Sequence, residues 1–197
     1  MAKPDTRLKM IHTAIDLFHR QGVNATSVDE ILEASKTGKG QFTHYFKNKE
    51  GLVRAAIGNL SEEIRAGRVP TGYRVESWKQ LERWFRTYLD FQESVDFTRS
   101  CPIGTIGNDL IESKSELRAD VVAFLDWSRA ELTSFFERKL EEGELVPAAK
   151  PQALADLCIA VMQGGMLLTK IKRNPDMFDA AAKQTLTFIQ GLRVKGK

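Results

Sequence analysis

Four polar side chains that lie close together in the sequence carry the hydrogen-bonding groups that read DNA bases. They are Lys39, Gln41, Thr43 and His44. A glutamine can pair with adenine through two hydrogen bonds, a lysine can donate to guanine, and a threonine methyl can contact thymine. A solvated helix face would have the same composition. The cluster therefore predicts a DNA-reading surface only if the fold presents these side chains together.

Two hydroxyl side chains precede this cluster. Thr26 and Ser27 could each donate a hydrogen bond to a phosphate of the DNA backbone. Their residue types are also those preferred at the start of a helix, which explains them equally well. Both interpretations remain open from the sequence.

The sequence lacks the patterns expected of a catalytic or metal site. His12 and His19 share a helix face but are seven residues apart, about 10 Å, which is too far for one metal ion. Gly38 and Lys39 lack the rest of a phosphate-binding P-loop, and no Gly-x-Ser-x-Gly elbow is present. We therefore expect no enzymatic activity, no metal and no cofactor.

Cys101 is the cysteine whose surroundings favour reactivity. It precedes Pro102, which suits the first turn of a helix, and it follows Arg99 closely. A helix N-terminus and a nearby arginine both stabilise a thiolate. The alternative is a buried structural cysteine, which is the commoner situation. Cys158 lies among apolar residues at helical spacing and is predicted to be core.

The residues before the polar cluster predict two helices. Apolar residues recur at helical spacing from Leu8 onward, and Gly22 is expected to end this first helix. Ser27 and Glu30 have the capping-box pattern, in which the serine accepts a backbone N–H and the glutamate reaches back. The second helix is expected to end near residue 35.

A turn and two further helices follow. Two glycines within residues 36–40 favour a turn, and the next run, 41–46, offers three aromatic residues to a core. Asn48 is expected to cap a long helix that continues to Ile64. This order matches a helix-turn-helix, in which the second short helix enters the major groove.

The rest of the chain also predicts helices. Gly67, Pro70 and Gly72 mark the expected boundary between a small N-terminal domain and the remainder. Helix-period apolar residues recur in the segments 77–94, 103–111, 115–142, 151–173 and 176–192. The predicted class is all-α, with a helix-turn-helix domain at 1–48, a connecting helix at 49–68 and a larger helical domain at 69–197.

The positive charge is concentrated at the front of the chain. The net charge is +3, and residues 1–68 hold 11 basic against 8 acidic residues, so the remainder is balanced. A local group of cations is opposed only by Glu50; it comprises Lys36, Lys39, Lys47, Lys49 and Arg54. Such a group suits a phosphate backbone if the fold gathers it on one surface, although a solvated basic face would look the same.

The composition also bears on the cellular compartment. The chain has two cysteines and no secretory leader pattern, and no stretch approaches the roughly 20 uninterrupted apolar residues of a membrane span. We therefore expect a cytoplasmic protein without a membrane partner.

Residues 5–55 closely resemble the N-terminal domain of the TetR/AcrR family of bacterial transcriptional regulators. The resemblance rests on two runs, Thr26-Ser27-Val28-Asp29-Glu30-Ile31 and Gly40-Gln41-Phe42-Thr43-His44-Tyr45-Phe46-Lys47-Asn48-Lys49-Glu50-Gly51-Leu52. Members of that family are all-helical homodimers that usually repress transcription and release DNA when a small molecule enters the C-terminal domain. The resemblance implies the same fold and function here.

The resemblance also implies roles for particular residues. Base-reading positions fall on Lys39, Gly40, Gln41, Thr43 and His44, and backbone-contacting positions fall on Thr26, Tyr45 and Lys49. Ser27 and Lys36 complete the predicted DNA-binding set. Three positions depart from the family pattern, because Lys36 replaces a glycine, Gly38 replaces a serine and Thr43 replaces a tyrosine. A left-handed lysine costs about 1 kcal/mol, so either the turn differs or the strain is accepted.

Aromatic residues are concentrated in the middle of the chain. Eleven of the 17 lie between Tyr73 and Phe136, which suits either a dense core or a ligand cavity. The resemblance implies a cavity, and the candidate lining residues are Trp78, Tyr88, Cys101, Trp127 and Met162. A cysteine at the position of Cys101 also resembles a branch of the family that senses electrophiles or quinones.

The resemblance implies that the last two helices form the homodimer contact, because family members pair through them. Gly164 and Gly165 lower helix propensity, and close approach of a neighbouring helix would compensate. A kink within one protomer is the alternative. A twofold dimer would place its reading helices in successive major grooves of a palindrome-like operator. The rival function is a helical protein-interaction module without sequence-specific DNA binding, whose affinity need not fall steeply with salt.

Overall fold

The computed structural model describes residues 5–69, 72–110 and 115–194. The described elements are α1 (Thr6–Gln21), α2 (Val28–Ser35), α3 (Lys39–Phe46), α4 (Lys49–Arg65), α5 (Trp78–Ser94), α6 (Pro102–Asp109), α7 (Ser115–Glu141), α8 (Pro151–Lys172) and α9 (Asp176–Gly191). Within these ranges, extended pairing is limited to an isolated bridge between Leu145 and Arg193. The all-α prediction is confirmed.

Local caps place the ends of the N-terminal helices where the sequence predicted them. Gly22 ends α1 at φ 89°, and its N–H donates to the Phe18 carbonyl. Asn48 begins α4, and its side-chain oxygen accepts from the Gly51 N–H at 2.9 Å. Both boundaries follow from residues that suit the required backbone conformation.

Only one of the two bonds of the predicted capping box forms at the start of α2. The Ser27 Oγ accepts from the Glu30 N–H at 3.1 Å, as predicted. The Glu30 carboxylate instead accepts from the Gln21 amide at 2.9 and 3.0 Å. Gln21 is the last residue of α1, so tertiary proximity gives Glu30 a partner other than the serine backbone.

The chain folds as two compact units that are discontinuous in sequence. The first comprises Met1–Ala66 and Cys101–Ala123, and the second comprises Gly67–Ser100 and Phe124–Lys197. The segment with α6 and the start of α7 thus belongs with the N-terminal helices. The predicted boundary near residue 68 had assigned this segment to the larger C-terminal domain. Pro70 and Ile111, which figured in the predicted boundaries, lie outside the described residues.

The first unit has a core of apolar side chains from α1 to α4 and α6. Fully buried members are Ile11, Phe18, Ile31, Leu52, Ile57, Ile103 and Ile106. They recur at helical spacing in their own elements, as the sequence predicted. This core leaves the opposite faces of the short helices α2 and α3 at the surface.

In the second unit, α8 and α9 pack closely against each other. A Cβ added to Gly165 would lie 2.2 Å from a ring carbon of Phe178, whereas one added to Gly164 would meet nothing within 4 Å. The close approach that the sequence assigned to a dimer contact is therefore made by Gly165 within one chain. Gly164 faces open space.

Helix α8 is long and apolar enough to cross a membrane, judged by length and composition alone. The core helix of a soluble protein passes the same test, and buried residues of α8 include Leu154, Cys158 and Met162. Burial raises the pKa of the Cys158 thiol to about 12. The predicted core position of Cys158 is confirmed.

Candidate nucleic-acid interface

The segment from α2 to α3 forms a helix, a tight turn and a second helix. Lys36 ends α2 in the left-handed conformation, with φ 51° and ψ 50°. Its N–H donates to the Glu33 carbonyl at 3.0 Å, and the Thr37 N–H donates to the Leu32 carbonyl at 3.0 Å. This pattern of two bonds commonly closes a helix with glycine at the left-handed position. The turn keeps the usual geometry, and the chain accepts the strain of a lysine.

Helix α3 divides into a buried face and an exposed face. Phe42 and Phe46 are buried. The residues predicted to read bases all lie at the exposed surface: Lys39, Gly40, Gln41, Thr43 and His44. Helical geometry therefore brings the predicted polar cluster together and holds it in place through two core phenylalanines.

Gln41 has a local hydrogen-bond partner within its own helix. Its Oε1 accepts from the Gly38 N–H at 3.1 Å. Gly38 is the N-cap of α3 and has no side chain with which to cap the helix. Gln41 thus satisfies a backbone donor at the N-terminus of its own helix through its side-chain oxygen. The bond does not use the amide nitrogen, and the side chain is exposed.

Thr43 also bonds within α3. Its Oγ1 donates to the Lys39 carbonyl at 3.0 Å. This bond uses the hydroxyl hydrogen, and the side chain remains exposed. The arrangement is compatible with the predicted contact between its methyl and thymine.

The predicted backbone-contacting residues lie in different environments. Thr26 is 1% exposed, and its hydroxyl donates to the Gly22 carbonyl at 2.7 Å, which fixes the turn between α1 and α2. Ser27 is exposed and caps α2. Tyr45 is exposed, and Lys49, the first residue of α4, is half-buried. Of the two hydroxyls, that of Ser27 is the more accessible to a phosphate.

One of the five cations that the sequence grouped together, Arg54, is paired with acidic residues. Arg54 Nη2 lies 2.6 Å from the Glu116 carboxylate, and Arg54 Nε lies 3.4 Å from that of Asp120. The hydrogen bond that Arg54 donates to Glu116, assisted by the charge of Asp120, raises the pKa of Arg54 above its ordinary value. Arg54 therefore has carboxylate partners from α7, which the sequence did not predict. Of the other four cations, Lys36, Lys39 and Lys47 are exposed and Lys49 is half-buried.

Asp109 is a residue at this site that the sequence analysis missed. It is the last residue of α6, and its Oδ2 accepts from the Asn24 backbone N–H at 3.1 Å. A Cβ on Gly22 would lie 2.5 Å from the same oxygen, so the glycine permits this close approach. Asp109 thus holds the turn that precedes α2. A lone aspartate 85 residues away gives no local signal of this contact.

Two of the predicted ligand-lining residues contact a common aromatic ring. Tyr73 joins two of them, because its ring centroid lies 6.4 Å from that of Tyr88 and 5.8 Å from that of Trp127. Trp78 packs against Phe135, and their ring centroids are 5.1 Å apart. Met162 is fully buried in α8.

Trp78 also belongs to a polar cluster. Its indole N–H donates to a carboxylate oxygen of Glu144 at 2.5 Å, and the other oxygen accepts from Lys139 at 2.9 Å. The Lys139 bond and then the Trp78 bond lower the pKa of Glu144 to about 2. The Arg193 guanidinium lies 4.7 Å from the Trp78 ring centroid. These contacts give Trp78 a structural role.

Cys101 is the N-cap of α6, as its position before Pro102 predicted. It is 5% exposed, and its Sγ accepts from the Gly104 N–H at 3.5 Å. The thiol therefore lies at a helix N-terminus, where a thiolate is stabilised. Its burial limits access to that thiol.

Two family descriptions match this chain, one in its N-terminal segment and one in the remainder. The family described as "Bacterial regulatory proteins, tetR family" matches residues 10–56, and "Tetracyclin repressor-like, C-terminal domain" matches residues 77–185. Together these matches cover the helix-turn-helix and most of the remaining helices.

Individual relatives have the same character. The transcriptional regulator AcuR of Cereibacter sphaeroides is 27% identical over 88% of this chain and 81% of its own length. The HTH-type transcriptional repressor DhaR of Mycobacterium sp. strain GP1 is 23% identical over 91% and 89%. The crystal structure of a regulatory protein TetR from Rhodobacter sphaeroides has a TM-score of 0.79 at 22% identity, covering 96% of this chain and 99% of that one. The last comparison shows a shared fold.

Proposed function

This chain belongs to the tetR family of bacterial regulatory proteins, and on that basis we propose that it binds a palindrome-like operator as a homodimer and represses transcription until an effector releases it. It is a DNA-binding transcriptional regulator and not an enzyme. The proposal concerns the operator, the dimer and the release. A cytoplasmic location is part of the same proposal.

The exposed face of α3 carries the proposal for DNA reading. Lys39, Gln41 and His44 lie there beside Thr43, while two phenylalanines fix the opposite face in the core. A helix held in this way presents its polar side chains to the major groove with little freedom to turn. Lys36 and Lys47, at the two ends of the segment, supply charge for phosphates.

An apolar stripe on α8 and α9 supports the homodimer. Leu167, Leu168 and Ile171 are exposed on α8 and share a face with Gly164, and Phe188 is exposed on α9. Exposed apolar side chains at helical spacing favour burial against another surface. A second copy of the chain would cover them and would position two reading helices for a twofold operator.

Two routes of release are proposed. One is a small molecule bound in the second unit, where the aromatic residues are concentrated. The other is modification of Cys101, whose Sγ lies at the N-terminus of α6. Cys158, whose thiol is fully buried with a pKa of about 12, serves as the unreactive reference cysteine.

The test is selection of bound duplexes from a randomised DNA pool by the purified protein at two salt concentrations. We expect enrichment of an inverted repeat, with affinity that falls steeply as salt rises, because several phosphate contacts release counterions. Gln41→Ala should relax the preference at particular base pairs, whereas Lys79→Ala, an exposed change on α5, should leave the selected sequence unchanged.

Two further arms address the alternatives. Alkylation should abolish enrichment by the wild-type chain but not by Cys101→Ser if Cys101 is the switch. The absence of enrichment at low salt would contradict DNA reading and favour the protein-interaction module. Enrichment that alkylation leaves intact would remove Cys101 from the proposal and leave the small-molecule route.

A further inference from the structure

Gln92 on α5 is a buried polar side chain with half of its hydrogen-bonding capacity unused. It is 0% exposed, and its amide nitrogen donates to the carbonyls of Arg99 and Met166, each at 2.9 Å. Its Oε1 has no partner among the described residues. A buried acceptor without a partner loses its hydrogen bonds to water and destabilises the folded chain. The two donor bonds fix this oxygen in place, so rotation of the amide would break them.

A second unpaired polar group belongs to α8, the helix whose backbone the Gln92 amide binds. Thr169 on α8 is 0% exposed, and its Oγ1 also has no partner within the described part of the chain. In a helix the carbonyl of one residue points towards the residues three and four positions later. Thr169 therefore follows Met166 by about one helical turn, on the side of α8 where the Met166 carbonyl accepts from the Gln92 amide.

The backbone that follows Gln92 is strained. Asp96 and Phe97 are consecutive non-glycine residues with φ of 49° and 55°. The Phe97 N–H donates to the Gln92 carbonyl at 2.8 Å, and the Gln92 side chain holds the far end of the turn at Arg99. Left-handed residues of this kind recur at ligand clamps and switch segments. The same glutamine thus connects an unpaired acceptor with a strained turn.

We propose that Gln92 Oε1 and the Thr169 hydroxyl are the polar anchor of a site for an uncharged ligand that donates a hydrogen bond from a hydroxyl or amide group. Neither anchor side chain is charged, the Gln92 amide meets Arg99 and Met166 only through their backbone carbonyls, and burial of an ion without an opposite charge would be costly. The ligand should therefore combine an apolar body with a single donor. This inference rests on the proposed release by a small molecule and specifies its chemistry.

The test measures binding of matched probe pairs to the purified full-length protein in the absence of DNA, by calorimetry and thermal shift. The pairs are phenol with toluene, benzyl alcohol with ethylbenzene, and cyclohexanol with methylcyclohexane; benzoate is the charged probe. We expect the hydroxyl member of at least one pair to bind about tenfold more tightly than its methyl partner, since one additional hydrogen bond supplies that difference. Benzoate should not bind.

Three variants identify the anchor. Gln92→Met and Thr169→Val remove the acceptor and the hydroxyl with little change in volume, and each should abolish the preference for the hydroxyl member. Ser128→Ala is the matched control, because the Ser128 hydroxyl is equally buried but already donates to the Phe124 carbonyl at 2.9 Å. Without probe, Thr169→Val should keep or raise the melting temperature, whereas Ser128→Ala should lower it.

Three results would overturn the inference. The first is equal binding of the hydroxyl and methyl members of every pair, and the second is a hydroxyl preference that survives in Thr169→Val. The third is a melting temperature that Thr169→Val lowers as much as Ser128→Ala does. That third result would show that a water molecule already satisfies the Thr169 hydroxyl. Because no DNA is present, failure here leaves the operator selection untouched. A hydroxyl preference without operator enrichment would establish the ligand site and contradict the proposed regulator.

Discussion

Lys36 shows how a single residue can be unfavourable for folding and still suit the proposed interface. It occupies a left-handed position that glycine adopts without strain, and its side chain is exposed beside α3. The strain lowers stability, while the charge is available to a phosphate. A stability measurement and an affinity measurement can therefore separate the two effects.

We predict that Lys36→Gly raises the free energy of unfolding by up to about 1 kcal/mol, because relief of the left-handed strain exceeds the added freedom of the unfolded chain. The same variant should bind operator DNA more weakly and reduce the slope of affinity with salt by about one unit. Lys36→Ala is the control, since it removes the same charge but keeps the strain. Urea unfolding should show no gain for the alanine variant, and equal stability of the two variants would contradict the prediction.

The lowered pKa of Glu144 predicts that the stability of the folded chain depends on pH. Its bonds to Lys139 and Trp78 hold its pKa at about 2 in the folded chain, below the ordinary value of 4.5. A pKa lowered by folding contributes stability that is fully present above the unfolded value and is lost as pH falls through the folded value. The window of loss is therefore about pH 4.5 to 2, and the contribution is on the order of 1–2 kcal/mol for a partly exposed group.

The measurement is thermal unfolding as a function of pH. Glu144→Gln should be less stable than the wild type near neutral pH and should change less with pH within this window. Glu82→Gln, an exposed change on α5, should keep the wild-type slope. A wild-type slope in Glu144→Gln would show that other carboxylates determine the acid sensitivity.

At the scale of elements, the junction of α3 and α4 depends on Gly51. A Cβ at this position would lie 2.1 Å from the Phe46 carbonyl oxygen, which is closer than real Cβ atoms approach. Phe46 is the last residue of α3 and is buried. A larger residue at position 51 must therefore move the reading helix relative to α4.

Gly51→Ala should lower the free energy of unfolding by about 1–3 kcal/mol and should also weaken operator binding, because overpacking displaces the backbone of α3. Gly58→Ala is a matched control in the same helix, where an added Cβ meets nothing within 4 Å. The control should gain about 1 kcal/mol from helix propensity and keep its affinity. Similar behaviour of the two variants, by denaturant unfolding and by DNA titration, would contradict this account of the junction.

At the scale of the whole molecule, the proposed dimer depends on the apolar stripe of α8 and α9. Ile171 is 67% exposed and Phe188 is 54% exposed. Glutamate at either position should convert the dimer to a folded monomer, because a charge buried at an apolar interface lacks a partner. Enrichment of an inverted repeat should be lost at the same time.

Sedimentation and circular dichroism measure assembly and folding separately. Val122→Glu is the control, since Val122 is an exposed apolar residue on α7, at 45%. It should leave both assembly and helix content unchanged. A dimer that survives both Ile171→Glu and Phe188→Glu would place the interface elsewhere.

The sequence by itself determined the N-terminal helices and the exposed face of α3. Gly22, Ser27 and Asn48 set helix ends through bonds to neighbours within four residues, and the structure has those bonds. Phe42 and Phe46 fixed which side of α3 is buried because their spacing matches the helical period. Such interactions are local, so the order of residues is sufficient to predict them.

Only the tertiary structure decided which distant groups become partners. Glu30 bonds to Gln21, Arg54 to Glu116, and Asp109 to Asn24, while Gly165 meets Phe178 within one chain. Each of these polar groups has several possible partners of suitable chemistry, and the packing of helices remote in sequence selects one. The same applies to Gln92 and Thr169, because an unpaired buried atom is defined only once every neighbour is in place.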